Sequence, residues 1–186
     1  MSTVSVQQPK AAMEQTTAGP AGPPTSAADQ RPSTGDGLRT VMRLHPAGVV
    51  VITACLDRPT GFCATSLTSV SLDPPTVSFA VSMHSASGQT WASTQHGIVH
   101  MLGAEQREVA LAFARPGPEK FAVGWSNGPE GQPLLDGVQA WLLIRPLTRL
   151  EVGDHLVVIA EVEASNCTPG QQPLIYHDGT FYALPV

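Results

Sequence analysis

Gly48-Val49-Val50-Val51-Ile52-Thr53-Ala54-Cys55 is a nearly unbroken apolar, β-branched run, the pattern of a strand buried on both faces. Behind it, Asp57-Arg58-Pro59-Thr60-Gly61 reads as a turn. Phe62 to about Ser71 reads as a second strand, ended by Asp73-Pro74-Pro75, and Thr76-Val77-Ser78-Phe79-Ala80-Val81-Ser82 as a third. Links this short predict three antiparallel neighbours.

Working outward from these strands, Leu38, Val41, Met42 and Leu44 lie near helical spacing and Pro46 stops that helix. Residues 1–35 are rich in Pro, Ala, Ser and Thr and contain no aromatic residue, so they cannot bury enough apolar surface to offset chain entropy. They are expected to be a disordered tail ahead of one domain over residues 36–186. Downstream, a helical turn is predicted around Thr90–Thr94, a strand over Ile98–Leu102, a helix over Ala104–Ala114 and a loop over Gly124–Asp136. Strands then follow over Ala140–Leu147, His155–Val162, Leu174–Tyr176 and Phe181–Ala183, the last two joined by a hairpin turn at Asp178-Gly179. Many short strands with few helices predict a mainly β fold, a barrel with helical decorations, without the βαβ alternation of a doubly wound sheet.

Composition narrows the function. A net charge of −5 argues against a nucleic-acid or membrane-surface binder, either of which selects a basic face. No apolar run approaches the roughly 18–20 residues of a membrane span, and Met1-Ser2-Thr3-Val4 opens no secretory signal. Cys55, Cys63 and Cys167 match no zinc or thioredoxin spacing, and an odd count without a signal reads as reduced, structural thiols of a cytoplasmic protein. The six histidines include no HExxH motif, so no metal is expected. Hydrolase elbows and Gly-rich phosphate loops are missing too.

Thr65-Ser66-Leu67-Thr68-Ser69-Val70-Ser71 carries five hydroxyls in seven positions, the composition of either an exposed edge strand or a polar binding wall. Ser85, Ser87 and Thr90 surround Gly88 just after the third strand, as a solvated loop or as donors to a phosphate. Between Pro59 and Gln106 there is no Lys or Arg. Any anion held there would need hydroxyls and backbone N–H groups, with a cation arriving from Arg58, Arg43, Lys120 or another subunit. Gly153-Asp154-His155 reads as a turn entering an apolar strand; His155 can point into a cleft and hydrogen-bond a carboxamide.

Pro46–Thr53, the run Gly61–Pro75, Glu119-Lys120-Phe121, Pro133–Gly137, Gly153-Asp154-His155 and Pro173–Tyr176 together resemble the short-chain flavin reductases, in consistent order over roughly residues 38–184. These are the reductase components of two-component flavin-dependent monooxygenases. The resemblance implies an FMN-binding split β-barrel with a Greek-key core, a homodimer with flavin near the subunit interface. It implies hydride transfer from NADH (or NADPH) to FMN (or FAD), and release of reduced flavin to a partner monooxygenase. By the family's pattern Cys63, Ala64, Thr65, Ser66, Thr68 and Ser69 lie along the flavin, Ser85, Ser87 and Thr90 near its phosphate, Lys120 in the site, and His155 faces the nicotinamide. Cys63 stands where Thr is common, and Ser82–Trp91 departs from the usual Ser-x-Thr pattern. Other readings of the same barrel are a protein using bound flavin on an organic substrate, a flavin carrier or sensor, and an interaction protein without cofactor.

Overall fold

The computed structural model describes residues 34–168 and 170–184. The tail expected over residues 1–35 lies outside them except at Thr34 and Gly35, which cap and open the first helix, α1 (Gly35–Met42). Thr34 accepts from the Gly37 N–H in the usual manner of an N-cap. The strands that follow are β1 (Ala47–Gly48), β2 (Val50–Cys55), β3 (Pro59–Ala64), β4 (Thr68–Leu72) and β5 (Pro75–Ser82). Helix α2 (Ala86–Trp91), β6 (Gly97–Met101), α3 (Arg107–Ala114), and the short strands β7 (Trp125–Asn127) and β8 (Pro133–Leu135) come next. The chain ends in β9 (Ala140–Val152), β10 (His155–Cys167), β11 (Leu174–His177) and β12 (Thr180–Ala183).

Seven strands form one antiparallel sheet in the order β3-β2-β6-β9-β10-β5-β4. Its edges, β3 and β4, are consecutive in sequence yet unpaired, so the barrel is split rather than closed by hydrogen bonds. The sheet curls far enough that β3 lies against β5. The return from β5 to β6 passes over α2 and crosses the sheet, a Greek-key type of connection. β2 sits one strand in from the edge and is buried on both faces, as its composition demands. Val50, Ile52 and Ala54 point into the barrel, against Phe79, Trp91, Ile144 and Val158. Val49 and Val51 point the other way, into a second cluster with Leu102, Ala110, Phe113 and Leu174 beneath α3. Each large side chain so buried contributes about 1.5–3 kcal/mol.

Three expectations are corrected. The strand expected from Phe62 to Ser71 is two strands, broken at Thr65-Ser66-Leu67, so β3 and β4 are not neighbours. The break is held open by a side chain: Ser66 Oγ accepts from the Ala80 N–H (3.1 Å) and donates to its carbonyl (3.4 Å), standing in for a ladder rung. The turn expected through Gly61 is shorter, because β3 already begins at Pro59. The loop expected over Gly124–Asp136 contains the β7–β8 hairpin. Three side chains fasten that hairpin to the barrel. Thr53 Oγ1 donates to the Pro133 carbonyl (2.6 Å), Gln132 Oε1 accepts from the Cys55 N–H (2.8 Å), and His100 Nε2 accepts from the Leu135 N–H (3.1 Å).

Both hairpin turns obey their sequence. Asp178 (φ 45°) and Gly179 (φ 84°) are left-handed, as a two-residue Asp-Gly turn requires. In the β9–β10 hairpin Gly153 alone takes positive φ, at 61°, which places His155 first on β10, opposite Val152 and Ser82.

Candidate functional site

A cleft of about 490 Å3 runs between the end of β3, the end of β5 and the C-terminal end of α3. It brings together Cys63, Ala64, Thr65, Ser66, Ser85, Lys120 and His155, seven of the residues expected at the site. Cys63 and Ala64 close β3, the sheet edge, so backbone groups along this stretch face away from the sheet with no strand beyond them. Phe62, Ala80, Val81 and Phe113 supply an apolar lining. The cleft is therefore apolar at its base and polar along one backbone edge.

Many of its hydroxyls are already committed. Ser66 bridges to Ala80, as above. Ser85 caps α2, accepting from the Gly88 N–H (3.0 Å) and donating to the Ser82 carbonyl (2.8 Å). The wall is held in place by its own serines, and the backbone does much of the facing.

Thr68 and Ser69 are not brought to the cleft; they lie exposed on β4. Neither are Ser87 and Thr90, because α2 begins earlier than the turn expected at Thr90. At i, i+3 the two share its inward face, where both are buried. Thr90 Oγ1 donates to the Ala86 carbonyl (3.2 Å). Sequence reasoning missed Arg115 and Pro116, which line the cleft from the end of α3. Nothing in the local sequence marks them, since α3 carries them there from some fifty positions beyond β3.

Lys120 Nζ donates to the Gly61 carbonyl (3.0 Å) and the Phe113 carbonyl (3.4 Å), tying the end of α3 to β3. Burial draws its pKa down, with Cys63 opposing. Burial also pushes the Cys63 thiol up to about 11, against the pull of Lys120, so Cys63 is a neutral thiol near neutral pH. At the cleft mouth His155 Nδ1 donates to Asp154 Oδ1 (2.8 Å). That hydrogen bond holds the Asp154 carboxyl below the usual range. With Nδ1 occupied, the Nε2 lone pair of the neutral ring is left to accept a proton donor such as a carboxamide N–H.

The donor set fits a flavin nucleotide. A flat ring with one apolar face and one hydrogen-bonding edge matches the apolar base beside the exposed backbone of Cys63–Ser66, and cationic side chains stand at one end for a phosphate. The flavin reductase like domain model matches residues 42–185. A protein of Rhodococcus qingshengii named NADH:FMN oxidoreductase is 37% identical over 171 residues, 86% of this chain and 88% of its own. The reductase subunit of a flavin-dependent monooxygenase from Mycobacterium tuberculosis is 31% identical over 151 residues, 79% of this chain and 81% of its own. Among solved structures, an NADH:FAD oxidoreductase of Streptomyces globisporus in complex with NAD and FAD fragments superposes with a TM-score of 0.77 at 32% identity, covering 81% of this chain and 92% of that one.

Proposed function

Because this chain belongs to the flavin reductase like family, we propose that it oxidises NADH, reduces free FMN or FAD, and supplies the reduced flavin to a separate monooxygenase. The observation that carries the reading is the cleft itself: apolar base, exposed backbone edge of Cys63–Ser66, cations at one end and His155 at the mouth. When bound, the flavin supplies the redox chemistry, accepting a hydride from the reduced nicotinamide. The chain's own contribution is orientation, which can supply several kcal/mol without an acid or base. Cys63–Ser66 holds the ring edge, Phe62 and Phe113 exclude water beneath it, and His155 Nε2 accepts from the nicotinamide carboxamide.

The cleft opens on an uncovered sheet face, and this supports a homodimer. His155, Val157 and Ile159 of β10 point outward, opposite Val152, Leu150 and Thr148 of β9 and beside Ala80 and Ser78 of β5. Leu150 is 49% and Val152 60% exposed, a costly apolar surface unless a second copy covers it. Ala80 and His155 belong to both this face and the cleft, so a second subunit there would roof the flavin site. No helix among the described residues is long and apolar enough to cross a membrane. A cytoplasmic location would keep the enzyme beside its NADH.

The test is NADH consumption by the purified protein with and without added FMN. Turnover that saturates with free FMN is the expected result. Consumption independent of added flavin would point instead to a protein using bound flavin on its own substrate, and none with any flavin or nicotinamide nucleotide would overturn the reading. His155→Ala is expected to raise KM for NADH about tenfold, the worth of one hydrogen bond of ~1.4 kcal/mol, with a smaller change in flavin affinity. An unchanged KM would remove His155 from the site.

A further inference from the structure

The cleft is electrostatically one-sided. In a chain of net charge −5, no carboxylate among the described residues lines it, while Arg115, Lys120 and His155 do. Most cations among the described residues are already engaged. Arg39, Arg43, Arg107 and Arg145 face carboxylates; Arg149 donates to the carbonyls of Trp91 and Thr94; Lys120 donates to those of Gly61 and Phe113. Arg58 and Arg115 have no hydrogen-bond or ion-pair partner among the described residues, and of these two only Arg115 reaches the cleft.

Local geometry explains why it does. The residue before a proline is pushed out of the helical region. Arg115 precedes Pro116, takes an extended backbone (φ −94°, ψ 147°) and ends α3. Its side chain is thereby released from the helix onto a ridge, shared with Pro116 and Lys120, between the cleft and a second one of about 430 Å3. The far side of the ridge carries Glu119 and the Arg107-paired Glu108, carboxylates that the near side lacks among the described residues. The near side, where Arg115 lines the same cleft as Cys63–Ser66, is the one that favours an anion.

We propose that Arg115 is the anchor for the phosphate of the bound nucleotide and sets the preference for FMN or FAD over riboflavin. The assignment rests on the flavin-site reading above. It supplies the cation that the stretch from Pro59 to Gln106 lacks, from within the same subunit. A guanidinium suits the task, since its fork matches phosphate oxygens in pairs.

The experiment measures equilibrium binding of FMN and riboflavin by quenching of flavin fluorescence, and of NAD+ by calorimetry, for the wild type, Arg115→Gln, Arg115→Lys and, as a control, Arg58→Gln. Expected for Arg115→Gln is about tenfold weaker FMN binding with riboflavin unchanged, partial recovery in Arg115→Lys, and no change in Arg58→Gln. Because Arg115 has no hydrogen-bond or ion-pair partner among the described residues, its variants should melt with the wild type. An FMN-to-riboflavin ratio that stays put while NAD+ binding weakens tenfold overturns the flavin-phosphate assignment and moves Arg115 to the nicotinamide nucleotide. If neither moves, the assignment is overturned while the reductase reading stands. A wild type that binds neither flavin nor NAD+ overturns both.

Discussion

Gly88→Ala is expected to destabilise the domain by about 3 kcal/mol and to weaken flavin binding severely, although Gly88 itself does not line the cleft. A Cβ on Gly88 would stand 2.1 Å from the Ser82 carbonyl oxygen and 3.0 Å from the Met83 Cα. Both are backbone, so no rotamer change relieves the clash; α2 must lift off β5. Ser85 goes with it, because its hydroxyl links the Gly88 N–H to the Ser82 carbonyl. The disturbance reaches His155 too, since the Met83 N–H donates to the Asp154 carbonyl (3.1 Å) in the turn that launches β10. For a domain of this size the loss lowers Tm by roughly 6–12 °C. Gly48→Ala is the control: its Cβ meets nothing within 4 Å, and its melting should stay close to that of the wild type. Equal melting of Gly88→Ala and wild type would show that α2 is not seated on β5 as described.

The same region shows what could be read from residues and what could not. β2 was legible because both its faces are apolar, and its burial on both sides demands a layer above and below. The Asp178-Gly179 turn was legible because the two positive φ angles leave few other residues. The break at Thr65–Leu67 was not, because Ser and Thr suit an edge strand and a loop equally. What decides there is a bond from Ser66 to Ala80, fourteen positions away. The β7–β8 hairpin escaped notice because strands of three residues show no period, and its fastening comes from Thr53, His100 and Gln132.

For the site, the contiguous wall Cys63–Ser66 was legible as a motif, as was His155 beside its turn. Ser87 and Thr90 misled because hydroxyl content does not report helix phase. Once α2 starts at Ala86, three-residue spacing turns both inward. Arg115 was silent because proximity to β3 is created by the packing of Phe113 and Ala110 under α3, a tertiary fact.

Acid should begin to loosen this domain below about pH 6.5, before the carboxylates titrate, and His100 should be the reason. Its ring is fully buried between β2 and the β7–β8 hairpin. Nδ1 donates to the Val51 carbonyl (3.0 Å) and Nε2 accepts from the Leu135 N–H (3.1 Å), so the proton sits on Nδ1. A second proton on Nε2 would point at that N–H. Burial lowers the pKa from 6.5 to about 4, outweighing the nearby carbonyls of Val51 and Pro133, which favour the charged ring. Between those values the unfolded chain binds a proton that the folded one refuses, so stability rises with pH across the window. The contribution is complete above pH 6.5 and is lost as pH falls toward 4, a change of about 3 kcal/mol. Urea unfolding of the wild type and His100→Gln at several pH values across that window isolates it, because every other titrating group is common to both. The variant should be less stable at neutral pH, having lost a buried bond to Val51 or Leu135, and flatter in its pH dependence by about 3 kcal/mol. Parallel curves would mean that the ring accepts its second proton in the folded state, and that the hairpin is held by Thr53 and Gln132 without it.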